Sequence, residues 1–182
     1  MDESLIDRVV IENISFSNMG FVVLLRKTES RNVLPIFIGP NEAHSIAAAY
    51  NNQSFPRPLT HDLFANTLKL LDCHIPRIVI TDLVDNVFFS KVYLVRNDAE
   101  KYQIDARPSD AIALALRFGA PLFVSKLVLQ TATVPLPDEE PKPESMDPVG
   151  ELKKELELAI SEERYEDAAR LRDELKKINN EN

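Results

Sequence analysis

The strongest constraint on this 182-residue chain is internal: residues 9–50 recur as residues 77–118, at an offset of 68 and without a gap. Asn18 aligns with Asn86, Phe21 with Phe89, Ile36 with Ile104, Pro40 with Pro108, Ala43 with Ala111 and Ala47 with Ala115. Glu42 with Asp110, Leu34 with Tyr102 and Tyr50 with Phe118 are near-matches. Six identities over 42 pairs are a thin score alone. What carries the repeat is that its periodicities agree in kind and order. Runs rich in β-branched and aromatic residues read as strands at Val9–Ile14, Phe21–Leu25, Val33–Ile38, Ile78–Leu83, Phe88–Val95, Tyr102–Ala106 and Leu122–Leu129. Helices are expected at Asn41–Tyr50, Thr60–Leu71 and Ser109–Phe118. Asn41 and Ser109 each follow a proline and are expected to cap their helices. Thr60 or His61 opens the middle one. The expected fold class is α+β: duplicated β-β-β-α units in one mixed-sheet body, with the Thr60–Leu71 helix in the connection between them.

Composition breaks near Pro135. From there Pro135, Pro137, Pro141, Pro143 and Pro148 alternate with Asp138, Glu139 and Glu140. Proline fixes φ and removes a donor, and like charges repel, so an extended linker is expected. The organisation read from this is a body over 1–134, a linker over 135–150 and a tail over 151–182. In the tail Leu152, Leu156, Ala159 and Ile160 form one apolar stripe, and Ala168, Leu171, Leu175 and Ile178 a second. A C-terminal α-helical hairpin is therefore expected. Two such short helices bury little, so their apolar faces call for a protein partner, and a second copy makes a homo-oligomer the expectation.

The formal net charge is −8, but it is unevenly placed. Residues 1–135 hold 13 Lys and Arg against 14 Asp and Glu, a net of −1. Residues 136–150 hold 1 against 5 and residues 151–182 hold 7 against 10. A broad basic nucleic-acid surface is excluded, whereas a local phosphate site in the near-neutral body is not. No apolar run approaches the ~18 residues of a membrane helix, and Met1-Asp2-Glu3-Ser4 opens no secretory signal, so no membrane contact and a cytoplasmic location are expected. Cys73 stands alone, which excludes a disulfide framework and a cysteine-built zinc site. Only 4 glycines are present, which removes phosphate-loop and dinucleotide-binding readings, and no organic cofactor is expected.

Polar residues gather at three turns. These are Gly39-Pro40-Asn41-Glu42-Ala43-His44, Phe55-Pro56-Arg57-Pro58-Leu59-Thr60-His61-Asp62 and Asp105-Ala106-Arg107-Pro108-Ser109-Asp110-Ala111. The first and third are equivalent in the repeat, so both lie at strand-to-helix turns that pseudo-symmetry can bring together. Glu42, His61, Asp62, Asp105 and Asp110 are the candidate catalytic residues. Arg57, Thr60, Arg107 and Ser109 are the candidate substrate-binding ones. Glu42, Asp62, Asp105 and Asp110 are candidate ligands for Mg²⁺ or Mn²⁺, which would activate water. The arginines suit phosphate, and a histidine moves protons near neutral pH. Each has a plainer alternative. Glu42 and Asp110 stand where helix-dipole compensation also puts acids, the arginines could simply pair with those acids, His61 and Ser109 could be caps, and Cys73 could be packing. His44 and His74 receive no role.

Read together, LPIFIGPNEAHSIA, RPLTHDL, IDARPSDAIALALR and APLFVS resemble the bifunctional nuclease domain family over about Leu5 to Gln130. The family pattern falls on Glu42, on Arg57, Pro58, Thr60, His61 and Asp62, and on Asp105, Arg107, Pro108, Ser109 and Asp110. The resemblance implies a nuclease acting on DNA and RNA. The tail, ELKKELELAISEERYEDAARLRDELKKIN, resembles the UVR motif of UvrB and UvrC, which implies a helical hairpin for protein contact. The alternative is a non-enzymatic adaptor or regulatory scaffold that docks a UVR-containing partner.

Overall fold

The repeat expected from the sequence governs the backbone. A computed structural model describes residues 3–17, 20–97 and 99–136. The expected hairpin, and the expected linker beyond Leu136, lie outside the described residues. After a single 3-10 turn, strands β1 (Ile6–Ser17), β2 (Gly20–Lys27) and β3 (Asn32–Ile38) form an antiparallel meander and lead into helix α1 (Pro40–Tyr50). Helix α2 (Thr60–Leu70) crosses to the second meander. Strands β4 (Cys73–Val84), β5 (Val87–Arg96) and β6 (Glu100–Ala106) then lead into helix α3 (Pro108–Phe118). Adding 68 to the bounds of β3 and α1 gives the bounds of β6 and α3.

The sheet has eight strands in the order β6-β5-β4-β7-β1-β2-β3-β8. Strand β7 (Leu122–Ser125) joins the two meanders, parallel to β4 and antiparallel to β1. The fold is α+β with a mixed sheet, as expected. Residues at two-residue spacing on successive strands, such as Val23 and Leu25, Leu34 and Ile36, and Ile78 and Ile80, are buried in one cluster with Ile46, Leu68, Ile112 and Leu114 of the helices. Between β4 and β5 the chain reverses on Asp85-Asn86, both with positive φ, which gives a two-residue turn whose twist matches the flanking strands.

Three expectations are corrected. The run Leu122–Leu129 is not one strand. It divides at Ser125, whose hydroxyl accepts from the Val128 N–H at 3.2 Å and caps helix α4 (Lys126–Ala132). Asn41 and Ser109 do not cap their helices. Proline has no N–H to offer and so occupies N1, which places Gly39 and Arg107 at the caps. Leu59, rather than Thr60 or His61, caps α2, and its N–H donates to Asp62 at 2.8 Å. Finally, Pro135 belongs to the sheet. Strand β8 (Val134–Pro135) pairs with the outer edge of β3, where a missing donor costs no ladder bond, and the Leu136 N–H donates to the Arg31 carbonyl at 2.9 Å.

Candidate active site

Three helices start with an acid at the same place. Counting from caps Gly39, Leu59 and Arg107, residues Glu42, Asp62 and Asp110 each occupy N3, where a carboxylate meets exposed N–H groups and the positive helix end. Packing then separates them. α1 lies against α3, and α2 lies against α3. A cleft of about 390 Å³ opens where the helix starts meet, lined by Asn41, Glu42, His44 and Ser45 of α1, Leu59, Thr60 and His61, and Arg107 and Asp110.

Arg107 is the junction of this cleft. Its Nε and Nη2 donate to the two oxygens of Asp110 at 2.8 and 3.1 Å, and Nη2 also lies 3.1 Å from Glu42 Oε1. The Arg107 side chain is 66% exposed, so this ion pair is open to a competing anion. The hydrogen bonds to Asp110 hold the guanidinium above its usual pKa. Gly39 accommodates Glu42, since a Cβ at Gly39 would collide with the Glu42 carboxylate.

His61 links that pair to the interior. Its Nε2 is 3.1 Å from Asp110 Oδ1, and its Nδ1 is 2.9 Å from Ser45 Oγ. Burial pushes the Asp110 carboxyl up, but hydrogen bonds from Arg107 and His61 outweigh it and hold the group below the usual carboxylate range. An ionised carboxylate only accepts, so His61 Nε2 carries hydrogen toward it. In the neutral ring Nδ1 then accepts, and the Ser45 hydroxyl supplies the proton. That assignment is consistent with the next contact: Arg117 Nη2 donates to Ser45 Oγ at 3.1 Å.

Arg117 is the buried end of the chain of contacts, with a side chain 8% exposed. It donates to Asp62 Oδ1 at 2.6 Å, to the Ala113 carbonyl at 2.9 Å and to the Ser45 carbonyl at 3.3 Å. Burial raises the Asp62 carboxyl, while the Leu59 N–H and Arg117 lower it by more, so it is held below its usual value. Asp62 therefore fixes a structural arginine and does not line the cleft.

The structure brings Glu42, Thr60, His61, Arg107 and Asp110 together. It does not bring in the other candidates. Arg57 is exposed on the loop before α2 and does not line the cleft. Ser109 is buried in the first turn of α3. Asp105 lines an adjoining recess instead. His44 stands at the cleft with its ring 5.3 Å from Phe55. Cys73 is buried, as the packing alternative expects. Ser45 and Arg117 have no place among the sequence candidates. A signal for both exists in the repeat, because their equivalents are Ala113 and Ala49: two polar residues stand where the other copy has alanine.

Among the described residues, no group of three His, Cys, Asp or Glu side chains is placed to hold a metal ion. The four candidate carboxylates go to three different places, and Glu42 and Asp110 already neutralise a guanidinium. This donor set does not fit a resident divalent cation, which takes about six oxygens. No helix among the described residues is long and apolar enough to cross a membrane.

The bifunctional nuclease domain model matches residues 23–137, which contain every cleft residue just described. The chain belongs to the bifunctional nuclease domain family. A UvrB/UvrC motif model matches residues 148–181. An uncharacterised protein of Mycobacterium tuberculosis is 39% identical over 118 residues, covering 65% of this chain and 70% of that protein. Bifunctional nuclease 1 of Oryza sativa is 26% identical over 178 residues, covering 85% of this chain and 53% of that one. Bifunctional nuclease 1 of Arabidopsis thaliana is 24% identical over 177 residues, covering 85% and 54%. The chain thus spans about half the length of these plant family members.

Proposed function

We propose that this protein hydrolyses phosphodiester bonds of DNA or RNA in the cleft between the starts of α1, α2 and α3. The observation that carries this reading is the Arg107–Asp110–His61 chain of contacts, in which an ionised carboxylate is held 2.8 Å from an exposed guanidinium and 3.1 Å from an imidazole. The names of the plant relatives favour the same chemistry.

The chemistry follows from the contacts. An entering phosphodiester anion competes for Arg107 and draws its donors from the carboxylates. Asp110, freed from that pair and still ionised, takes a proton as water oxygen bonds to phosphorus. In the reacting form His61 has taken up a second proton, and the Ser45 hydroxyl has turned to accept from Nδ1. The bond from phosphorus to the leaving sugar oxygen breaks, and that oxygen takes the Nε2 proton, which leaves the ring neutral with its hydrogen on Nδ1. The proton on Asp110 then crosses the 3.1 Å contact to Nε2, which resets both groups.

An adaptor or scaffold remains the second reading, because the ionisable groups of the cleft already neutralise one another and residues 148–181 match a motif named for excision-repair proteins. In that reading residues 151–182 dock a UVR-containing protein or a second copy. Purified full-length protein and its Arg107→Ala and Asp110→Ala variants, assayed on single-stranded DNA and RNA with EDTA or added Mg²⁺ or Mn²⁺, separate the two. Turnover lost in both variants supports the nuclease. Turnover equal in all three, varying between preparations, is contamination and leaves the scaffold.

A further inference from the structure

The last strands of the two meanders, β3 and β6, are equivalent in the repeat, and their outer edges differ. The edge of β3 is closed. β8 pairs with Asn32 and Val33, and Pro35, in the middle of the strand, has no N–H to offer. At the position of Pro35 the second copy carries Gln103. Among the described residues no strand pairs with the outer edge of β6, and Glu100 to Asp105 are all exposed. The seven residues of β6 pair with β5 from Glu100 opposite Arg96 to Ala106 opposite Ser90, without a bulge. A straight edge that turns N–H and C=O groups outward on alternate residues is a template for another strand. The two faces of that edge differ. Tyr102 and Ile104, both exposed, border two recesses of about 300 and 410 Å³ that share Ile104 and have Phe64 and Leu71 of α2 on their other side. Lys101, Gln103 and Asp105 alternate with them and turn to the opposite face.

We propose that β6 pairs with β6 of a second copy of this chain, antiparallel about a two-fold axis at Gln103, so that two eight-stranded sheets become one. The inference rests on neither reading of the function. The register follows from the strand itself. An axis at Gln103 is the one that pairs all seven residues. It sets Lys101 of each copy opposite Asp105 of the other, so two opposite-charge pairs form on one face. On the other face it sets Tyr102 opposite Ile104, an aromatic residue against a β-branched one. Glu100 falls opposite Ala106, so no like charges meet. A slip of one residue would instead set Glu100 opposite Asp105. Within one chain Asp105 already stands opposite Lys91 of β5, so the pairing places the acid between two lysines. The equivalents of Lys101 and Asp105 in the first copy are Val33 and Phe37, which carry no charge. A lysine on an edge strand also guards it against pairing, but a guard calls for no acid at the position that mirrors it. Paired residues share a face, so α2 of both copies lies on the same side of the joined sheet, and the two apolar recesses face each other across the seam.

Sedimentation equilibrium of the full chain over a range of concentrations tests this. The wild type is expected to be a dimer that dissociates on dilution, since one strand pair and its flanking recesses are a small interface. Lys101→Asp sets Asp opposite Asp twice and is expected to raise the dimer Kd about tenfold. Adding Asp105→Lys exchanges the two charges, and the double variant is expected to return to within about threefold of the wild type. Both positions are exposed, so neither change disturbs the core. Gln103→Cys reads the register. On the axis it meets its own twin, and a short bismaleimide is expected to join the two chains. Lys101→Cys stands about 13 Å along the strand from its twin and is expected to stay unjoined. A wild type that is monomeric at every concentration overturns the inference. A dimer whose Kd is unmoved by Lys101→Asp, or that does not cross-link at Gln103→Cys, overturns it as well and puts the contact elsewhere in the chain. A double variant no tighter than Lys101→Asp alone overturns the pairing of Lys101 with Asp105.

Discussion

The turn that starts α1 and the turn that starts α3 are copies, and their differences are more informative than their likeness. Both put proline at N1, an acid at N3 and an aromatic residue at the last position of the helix. These are the positions that build a strand-to-helix turn. The cap positions differ: Gly39 in the first copy is Arg107 in the second. Ser45 in the first copy is Ala113 in the second, and Ala49 is Arg117. Each difference adds a charge or a hydroxyl to one copy and a small residue to the other. The small residue makes room, and the polar one reaches across. Glycine lets Glu42 fold over the first turn toward Arg107. Alanine at 113 gives Arg117 a carbonyl, while its fork crosses to Ser45. Duplication supplies the scaffold, and the departures from it supply the site.

The largest loss is expected at His61, which lies in neither copy: His61→Gln removes an acid–base group and is expected to lower kcat about 10³-fold. The losses next in size come from residues that differ between copies. Arg107→Gly, which makes the third turn like the first, is expected to lower kcat/KM by 10²- to 10³-fold, or about 3–4 kcal/mol in transition-state binding. Steady-state kinetics on one single-stranded substrate check both. Arg117→Ala restores the alanine of the first copy. It leaves Asp62 and the Ser45 carbonyl without their partner and is expected to cost about 3 kcal/mol of stability in urea denaturation. Arg117→Ala within about 0.5 kcal/mol of wild type would break the account of Asp62 as a structural acid.

A subtler effect is expected at Gly39→Ala. The backbone there is extended, so the cost is steric: the methyl group pushes Glu42 from Arg107. Stability is expected to change by about 1 kcal/mol or less, with a lower substrate KM because Arg107 has lost one competitor. The pH dependence sharpens the contrast further. Asp110 has its pKa lowered on folding, so its contribution is full above the unfolded carboxylate range and fades as pH falls through the lower folded value. Asp110→Asn should therefore flatten the acid limb of the stability–pH curve, and unfolding midpoints measured from neutral pH downward read this out.

The sequence disclosed the meanders and helices because the strand segments are rich in β-branched and aromatic residues and helices α1 and α3 open on a proline. It did not disclose α4. Leu122-Phe-Val-Ser-Lys-Leu-Val-Leu has the β-branched and aromatic content of a strand, and only the side chain of Ser125, acting as a cap, divides it. The convergence of Glu42 with Arg107 and Asp110 was legible from the repeat. The separation of Asp62 was not, since three acids at N3 look alike until packing sets one against Arg117. Ser45 and Arg117 meet across 72 residues as single side chains, with no motif to announce them.

The most direct test is hydrolysis of a single-stranded oligonucleotide by the full-length wild type against Arg107→Ala, prepared side by side and both confirmed folded. The account predicts turnover in the wild type that resists repeated purification and falls at least 10²-fold in the variant. Equal turnover in the two proteins would contradict it.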